Sequence, residues 1–532
     1  MASEGRPRRT PRVTTRVSVA DIDQVGERHS QHHRIAAGRR LRAVGWWRFV
    51  FFRDRLVDAP PYLNLLLFVG IAVATLTASI VLTPPDQVPD VVLHFDRAVE
   101  VSQGGLVGTV RDGGSGDFLS PGVRAFQQVF QSLPSKAQNR VTAADFRRAG
   151  EITWGNTRQF VQFSPTTERP PVAYFPGALA VLVARSISNR ILVAYYAVEV
   201  SNAVVFVALV AWAMLLFRGI ASSLLAAVAL LPMTISLAGS PSTDGIIIGL
   251  VALYAGVLYR LASDGGTEGK QTASHSRGGW LTLIHKWSWL DYVAFCALAI
   301  VVLAKPPYFP LVAAFGLARG EMRSLKSYLQ RLVAPSLLLV LLAGSWYLVG
   351  ARFQATESWV PPGVSISGQI RFVLTNPARA LHVAAHTLRV VNSFYWTSFV
   401  GILGWLDTLL QPWVYAAAGY GLGALFVIGL ITGRTRLAPL ICCLIATLAS
   451  AVLIFATLYA DWTPVGAPVV QGVQGRYFLP LVPVLILGLG ENRARVMWGR
   501  AWGPLSIAIW LGLAFACLVA SSTTLLGRYW LT

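Results

Sequence analysis

Apolar residues run along this chain in long unbroken blocks, not at helical or alternating intervals. A helix needs about 20 such residues to cross the hydrocarbon core of a bilayer, so the pattern predicts membrane spans. The blocks fall at residues 62–82, 192–217, 220–238, 244–262, 291–304, 306–318, 332–350, 412–432, 437–459, 477–490 and 504–526, giving eleven candidate spans. Three of them, 291–304, 306–318 and 477–490, are short and carry or adjoin prolines. The run at 172–187 is also short, and Pro171 and Pro176 break its start, so it reads as a helix lying at the interface. The fold class expected is an all-α polytopic membrane protein.

Composition agrees: 54% of the 532 residues are apolar and 13% charged, with mean hydropathy +0.54. The formal net charge of +20 would mark a soluble chain as a nucleic-acid binder, a reading that the hydropathy removes. The basic residues report orientation instead, because Lys and Arg in short loops stay preferentially on the cytoplasmic side. With the N-terminus inside, the cytoplasmic short segments hold fourteen Lys or Arg and the opposing ones seven. This predicts a multi-pass plasma (inner) membrane protein with an extracytoplasmic C-terminus. Residues 1–58 contain thirteen Arg and six acidic residues without an apolar signal core, and read as a disordered basic cytoplasmic tail. The transmembrane domain is expected over 59–532. Cys296, Cys442, Cys443 and Cys517 all lie in apolar runs and suggest neither disulfides nor a zinc site.

Two segments on the far side of the membrane are long enough for structure. Residues 83–190 combine glycine-rich turns (GGLVG, DGGSGDF) with helical patterns (PGVRAFQQVFQSL, TAADFRRAGEI) and predict an ordered loop carrying amphipathic helices. Residues 351–411 are rich in aromatics and place His382 and His386 four apart, without a third metal ligand nearby, as in an interfacial helix.

Charged groups at the edges of apolar spans are costly and therefore candidates for function. Here they collect on one side: Asp90, His94, Asp96 and Arg97 in VPDVVLHFDRA, Asp244 in SPSTDGIII, Lys305 in LAKPPYFP, Asp407 in GWLDT and Arg476 in QGVQGRYFLP. Glu199 lies about two turns inside the second span. Each has an ordinary structural role open to it: Asp244 a helix N-terminus, Lys305 and Arg476 snorkelling cations, Asp407 a belt residue beside Trp405, Asp90 a turn former after Pro89.

These blocks, with RPPVAYFPGALA and LLPMTISLAGSPSTDGIII, resemble the family catalogued as domain of unknown function 2142, over about residues 62–525. That family's pattern has Asp-Glu in the first loop, whereas Val91 follows Asp90 here, so a second carboxylate would fall to Asp96 or Glu100. The family is similar, more distantly, to GT-C glycosyltransferases, in which the first far-side loop carries the acidic catalytic motif and amphipathic juxtamembrane helices. In those enzymes a KPPL-like block precedes the next span, and Arg169-Pro170-Pro171 stands in its place. The resemblance implies a GT-C-like transferase moving a sugar from a polyprenyl-phosphate-linked donor to a cell-envelope glycan or lipid acceptor on the extracytoplasmic face. Asp90 would be the catalytic base. His94, Asp96, Arg97, Asp244, Lys305, Asp407 and Arg476 would bind substrate, with Arg476 and Lys305 on the lipid phosphate. The acids leave room for Mg2+ or Mn2+, though no ligand spacing demands either. No Walker pattern or phosphate-cradling loop is present, and no nucleic-acid partner is expected. Competing readings are a transporter or flippase of lipid-linked saccharides and a non-catalytic scaffold for envelope biosynthesis.

Overall fold

A computed structural model describes residues 61–268, 287–320, 325–350, 361–433, 437–490 and 499–531; the tail expected at 1–58 lies outside the described residues. The expected spans appear as helices α1 (Pro61–Leu82), α6 (Ile191–Leu216), α7 (Ile220–Ala229), α8 (Pro232–Ala238), α9 (Asp244–Glu268), α10 (Trp289–Ala304), α11 (Leu325–Gly350), α14 (Pro412–Thr432), α15 (Leu437–Asp461), α16 (Val482–Gly488) and α17 (Gly499–Tyr529). Among the described residues seven helices are long and apolar enough to cross a membrane, or eight if α7 and α8, bent by 67°, form one span. Helix lengths therefore do not carry the count of eleven. Proline is the cause: Pro232 breaks the α7–α8 pair, and Pro306 and Pro307 end α10. Pro306–Gly320, with Pro310 inside, and Gly475–Leu481, with Pro480 inside, wind as 3-10 helices. A 3-10 helix rises about 2.0 Å per residue, so the fifteen residues of Pro306–Gly320 extend roughly 30 Å.

Helix α9 is the hub. Its apolar stretch is 89% buried, against 17–44% for the other six long helices, and it packs against α6, α10 and the Pro306–Gly320 helix. Polar clamps tie α1, α7 and α17: Asn64 Nδ2 donates to Ser222 Oγ at 3.1 Å, and Trp510 Nε1 donates to Asn64 Oδ1 at 2.9 Å. Such bonds help select one packing where apolar contact with lipid cannot.

The segment 83–190 folds over one end of the bundle. It contains α2 (Val91–Ser102), α3 (Pro121–Phe130), α4 (Ala143–Glu151), α5 (Phe175–Ile187) and a small antiparallel sheet of β1 (Thr109–Arg111), β2 (Gly114–Leu119) and β3 (Gln159–Gln162), a feature beyond the all-helical expectation. Its core joins Phe95, Phe126 and Phe130 to Tyr195 of α6, so the loop shares its interior with a span. Helix α5, the run expected at the interface, folds back beside α6, where Ser201 Oγ donates to Pro176 O at 3.0 Å. At the same end lie α12 (Ile366–Thr375), α13 (Pro377–Val400) and a hairpin of β4 (Ile402–Leu403) and β5 (Thr408–Leu409).

Asp407 serves that hairpin's attachment. Its Oδ2 accepts from Arg528 Nη2 at 3.2 Å and from the Ser135 backbone N–H at 3.0 Å. Arg528 also donates to the carbonyls of Leu133 (2.8 Å) and Asn139 (3.0 Å). One guanidinium thus joins the last helix to the first loop and the hairpin. Removing one partner of a buried pair leaves the other charge uncompensated, so Arg528→Ala is expected to cost about 3 kcal/mol and lower the melting temperature in detergent. A variant that melts with the wild type would show that this junction holds nothing together.

Candidate functional site

Pro89 ends the turn after α1, and Asp90 caps α2 with a left-handed backbone, φ 68°, a conformation that Asp tolerates better than most residues. Its half-exposed carboxylate accepts from Arg476 Nη2 at 2.7 Å, while the Arg476 side chain is only 3% exposed. Burial raises the Asp90 pKa, but the charge and hydrogen bond of Arg476, with the charge of Arg169 nearby, outweigh it and hold the group below the usual carboxylate range. Arg476 is placed by a close backbone approach. A Cβ on Gly475 would meet Tyr395 O at 1.9 Å and Phe399 N at 2.4 Å, and the Gly475 N–H donates to Ser398 Oγ at 2.7 Å. Only glycine lets the Arg476 segment lie flat on α13.

A second pair stands beside the first. Asp244, at the first turn of α9, accepts from Lys305 Nζ at 2.5 Å. Asn202 of α6 holds the preceding SPST turn by donating to Ser240 O (2.9 Å) and Ser242 O (3.3 Å). The Tyr477 ring links the two pairs: Lys305 Nζ and the Arg476 guanidinium each lie 5.3 Å from its centroid. Tyr308 supports that ring's backbone by donating to Tyr477 O at 2.8 Å.

His94, one turn along α2 from Asp90, completes the cluster. Its Nδ1 lies 2.9 Å from the Tyr174 hydroxyl, and the Arg169 charge stands near both groups. Burial first, and the positive charge of Arg169 second, push the His94 pKa down to about 3. The histidine is therefore neutral.

Of the candidates named from sequence, Asp90, His94, Asp244, Lys305 and Arg476 converge, and Asp96, Arg97 and Asp407 do not. Asp96 accepts from Gln127 Nε2 at 2.8 Å on the other side of α2. Arg97 pairs with Glu100 at 2.5 Å, both side chains fully buried, and donates to Leu106 O and Arg169 O, each at 2.8 Å. Arg97 thus shapes the site indirectly, by holding the backbone of Arg169 itself. Neither Asp96 nor Glu100 supplies a second carboxylate there; Asp244 does. Sequence reasoning placed Arg169 at the KPPL-like block without a site role and missed Tyr174, Tyr308 and Tyr477, although all four stand within or beside the blocks RPPVAYFP, LAKPPYFP and QGRYFLP. Among the described residues no three His, Cys, Asp or Glu side chains form a metal-binding group.

Behind the site lies a different acid cluster. Asp86, also left-handed at φ 64° and 4% exposed, has its backbone fixed by Tyr195, whose hydroxyl accepts from the Asp86 N–H at 2.8 Å, and by Trp405, which donates to Asp86 O at 2.6 Å. Its carboxylate meets no cation within salt-bridge distance among the described residues. Burial, then repulsion from Asp96, pushes its pKa up to about 8.

The chain belongs to the DUF2142 family of membrane proteins, whose family model, described as "Predicted membrane protein", matches residues 73–485. No curated protein matches the chain by sequence. Among solved structures, it is similar to ArnT from Cupriavidus metallidurans bound to undecaprenyl phosphate, with TM-score 0.37, 11% identity, and coverage of 87% of this chain and 75% of that one. It is also similar to the Archaeoglobus fulgidus oligosaccharyltransferase tethered with an acceptor peptide, with TM-score 0.35, 12% identity, and coverage of 87% and 55%.

Asp86 gives a pH test. Its native pKa lies above the ordinary carboxylate value, so the penalty for keeping it protonated is absent at low pH. As pH rises from about 4 to about 8 the unfolded chain ionises before the native one, and stability falls through that window. Asp86→Asn, which tolerates the same backbone, is expected to melt with the wild type near pH 4 and several degrees higher near pH 8. Parallel pH profiles for the two proteins would refute the buried, protonated assignment.

Proposed function

We propose that the chain is a GT-C-like glycosyltransferase that moves a sugar from a polyprenyl-phosphate donor to a cell-envelope acceptor on the extracytoplasmic face. The observation that carries this reading is the convergence of Arg476, Lys305 and Arg169 with the carboxylates of Asp90 and Asp244 at the loop end of the spans. Three cations against two carboxylates, with His94 neutral, leave one positive charge. A phosphodiester linking sugar to lipid carries one negative charge, so donor and site balance.

In this mechanism the donor phosphate competes with Asp90 for Arg476. Once the guanidinium turns to phosphate oxygens, Asp90 loses the interaction that depresses its basicity and becomes free to take the acceptor hydroxyl's proton. The acceptor oxygen forms its bond to the anomeric carbon as the bond from that carbon to the phosphate oxygen breaks. The bonding pair leaves with polyprenyl phosphate, whose added negative charge falls to Arg476, Lys305 and Arg169. Asp244 keeps Lys305 in place, and Tyr174 orients a neutral His94 imidazole whose Nε2 can hydrogen-bond a sugar hydroxyl. Mg2+ or Mn2+ would add charge to the same phosphate, and supplying or chelating them in the assay measures that contribution.

The test is transfer of labelled sugar from a polyprenyl-phosphate donor in proteoliposomes. Asp90→Asn is expected to lower kcat by about 100- to 10,000-fold and, because it removes the competitor for Arg476, to lower donor KM. Arg476→Ala is expected to raise donor KM as well as lower kcat. Wild-type turnover in both variants sinks the assignment, and movement of donor across the bilayer without transfer points to a transporter instead.

A further inference from the structure

Helices α12 and α13 form an arm that no step above uses. Its end of the molecule is fixed by its neighbours. It stands between α11, whose Trp346 donates to Glu168 O at 2.7 Å near its end, and α14, which follows the hairpin whose Trp405 bonds Asp86. Both contacts are with the 83–190 segment, so the arm shares its side of the membrane.

Residues 361–400 contain Arg371, Arg379 and Arg389, with His382 and His386, and no acid. On a helix turning about 100° per residue, Arg379, His382, His386 and Arg389 fall within about 80° of one another. The two imidazoles stack with centroids 6.0 Å apart and planes 9° off parallel, so they face the same way. About a third of a turn away on one flank, Val383, Thr387 and Ser398 are buried against the chain, with Thr387 Oγ1 accepting from Val470 N at 3.0 Å. About a third of a turn away on the other, Leu381 is 72% and Leu388 55% exposed. Helix α13 therefore has a protein face, a basic face and a bare apolar face.

We propose that the arm lies on the membrane leaflet of the loop side, with anionic phospholipid headgroups on the basic row of α13 and Leu381 and Leu388 among the upper acyl chains. A water-soluble polyanion would satisfy the arginines and leave the leucines exposed to water; a lipid surface accounts for both rows. The absence of any acid from the arm fits an anionic surface. Three of the seven basic residues in opposing short segments stand on this one arm, against the bias that keeps such residues on the other side. The seat has a mechanical consequence, because the C-terminal turn of α13 is the surface on which Gly475 lies and from which Arg476 projects. Lipid contact along the helix fixes the platform of the principal site cation.

The test compares amide hydrogen exchange of the full chain in nanodiscs of phosphatidylcholine alone and of phosphatidylcholine with phosphatidylglycerol. Residues 377–394 are expected to exchange about tenfold more slowly with phosphatidylglycerol present, and the Arg379→Gln/Arg389→Gln double variant to lose that difference while α9 keeps its protection. Equal exchange in the two lipids overturns the proposal, as does a difference that survives in the double variant. Slowing by a soluble polyphosphate in phosphatidylcholine discs, without a response to phosphatidylglycerol, overturns it in favour of a soluble partner. None of these readouts needs sugar transfer, so a failed transfer assay and a failed lipid seat remain separate results.

Discussion

Arg476 and Asp90 meet across 386 positions of sequence, and the arrangement of the loop end follows from that meeting. A guanidinium 3% exposed cannot stay in the protein without a counter-charge, and the groups nearest to it in sequence are Gly475 and Tyr477. The counter-charge comes from the first turn of α2, which the 83–190 fold must bring over the mouth of the bundle. Asp90 accepts a left-handed backbone to reach it. Once that contact is made, His94 is carried in one helical turn later, and the Tyr477 ring lies where Lys305 can share it. Loop and spans thus depend on one another: the loop supplies the carboxylate and the spans supply the cations.

The spans were legible because the cost of exposing polar backbone or side chains to hydrocarbon writes long apolar runs directly into the sequence. Their breaks were less so. Pro306, Pro307 and Pro310 announce trouble, but that the chain would answer with a fifteen-residue 3-10 helix depends on packing against α9 and α15, which no local pattern encodes. The sheet of β1–β3 was hidden for a related reason. Its strands are three, six and four residues long, too short for alternation to be read, and Gly114 and Gly116 occupy the middle strand where packed side chains would otherwise mark it.

The site was legible in part, and the part that failed had a readable cause. In DVVLHFDRAVE, a helix puts His94 on the Asp90 side and Asp96 about 160° away from His94's direction, so the period alone separates Asp96 from the cluster. Arg97 does share the His94 face, but Glu100 three residues on captures it within the same helix. Asp407 looked like its neighbours in the list of edge charges. What removes it is Arg528, a residue at the far end of the chain whose proximity only the fold creates. Arg169 and the three tyrosines were visible as letters in the quoted blocks, yet a cation beside two prolines and a phenol in an apolar run carry no chemistry until a histidine or a second cation stands next to them.

The loop end holds two acid populations in unlike settings, and α2 separates them. Asp90 and Asp244 are matched by Arg476 and Lys305; Asp86 and Asp96, whose pKa values burial raises to about 8 and about 6, pair with neither cation, and near neutral pH Asp86 holds its proton while Asp96 has largely lost its own. The division has a functional sense. If Asp86 were ionised as well, it would compete with an incoming phosphate for the positive charge of the cluster, since low-dielectric surroundings transmit such fields over several ångströms. Kept protonated, Asp86 takes nothing from the single excess positive charge of the site, which is directed to the open side, where Asp90 is half exposed and where a ligand carrying one negative charge would be met.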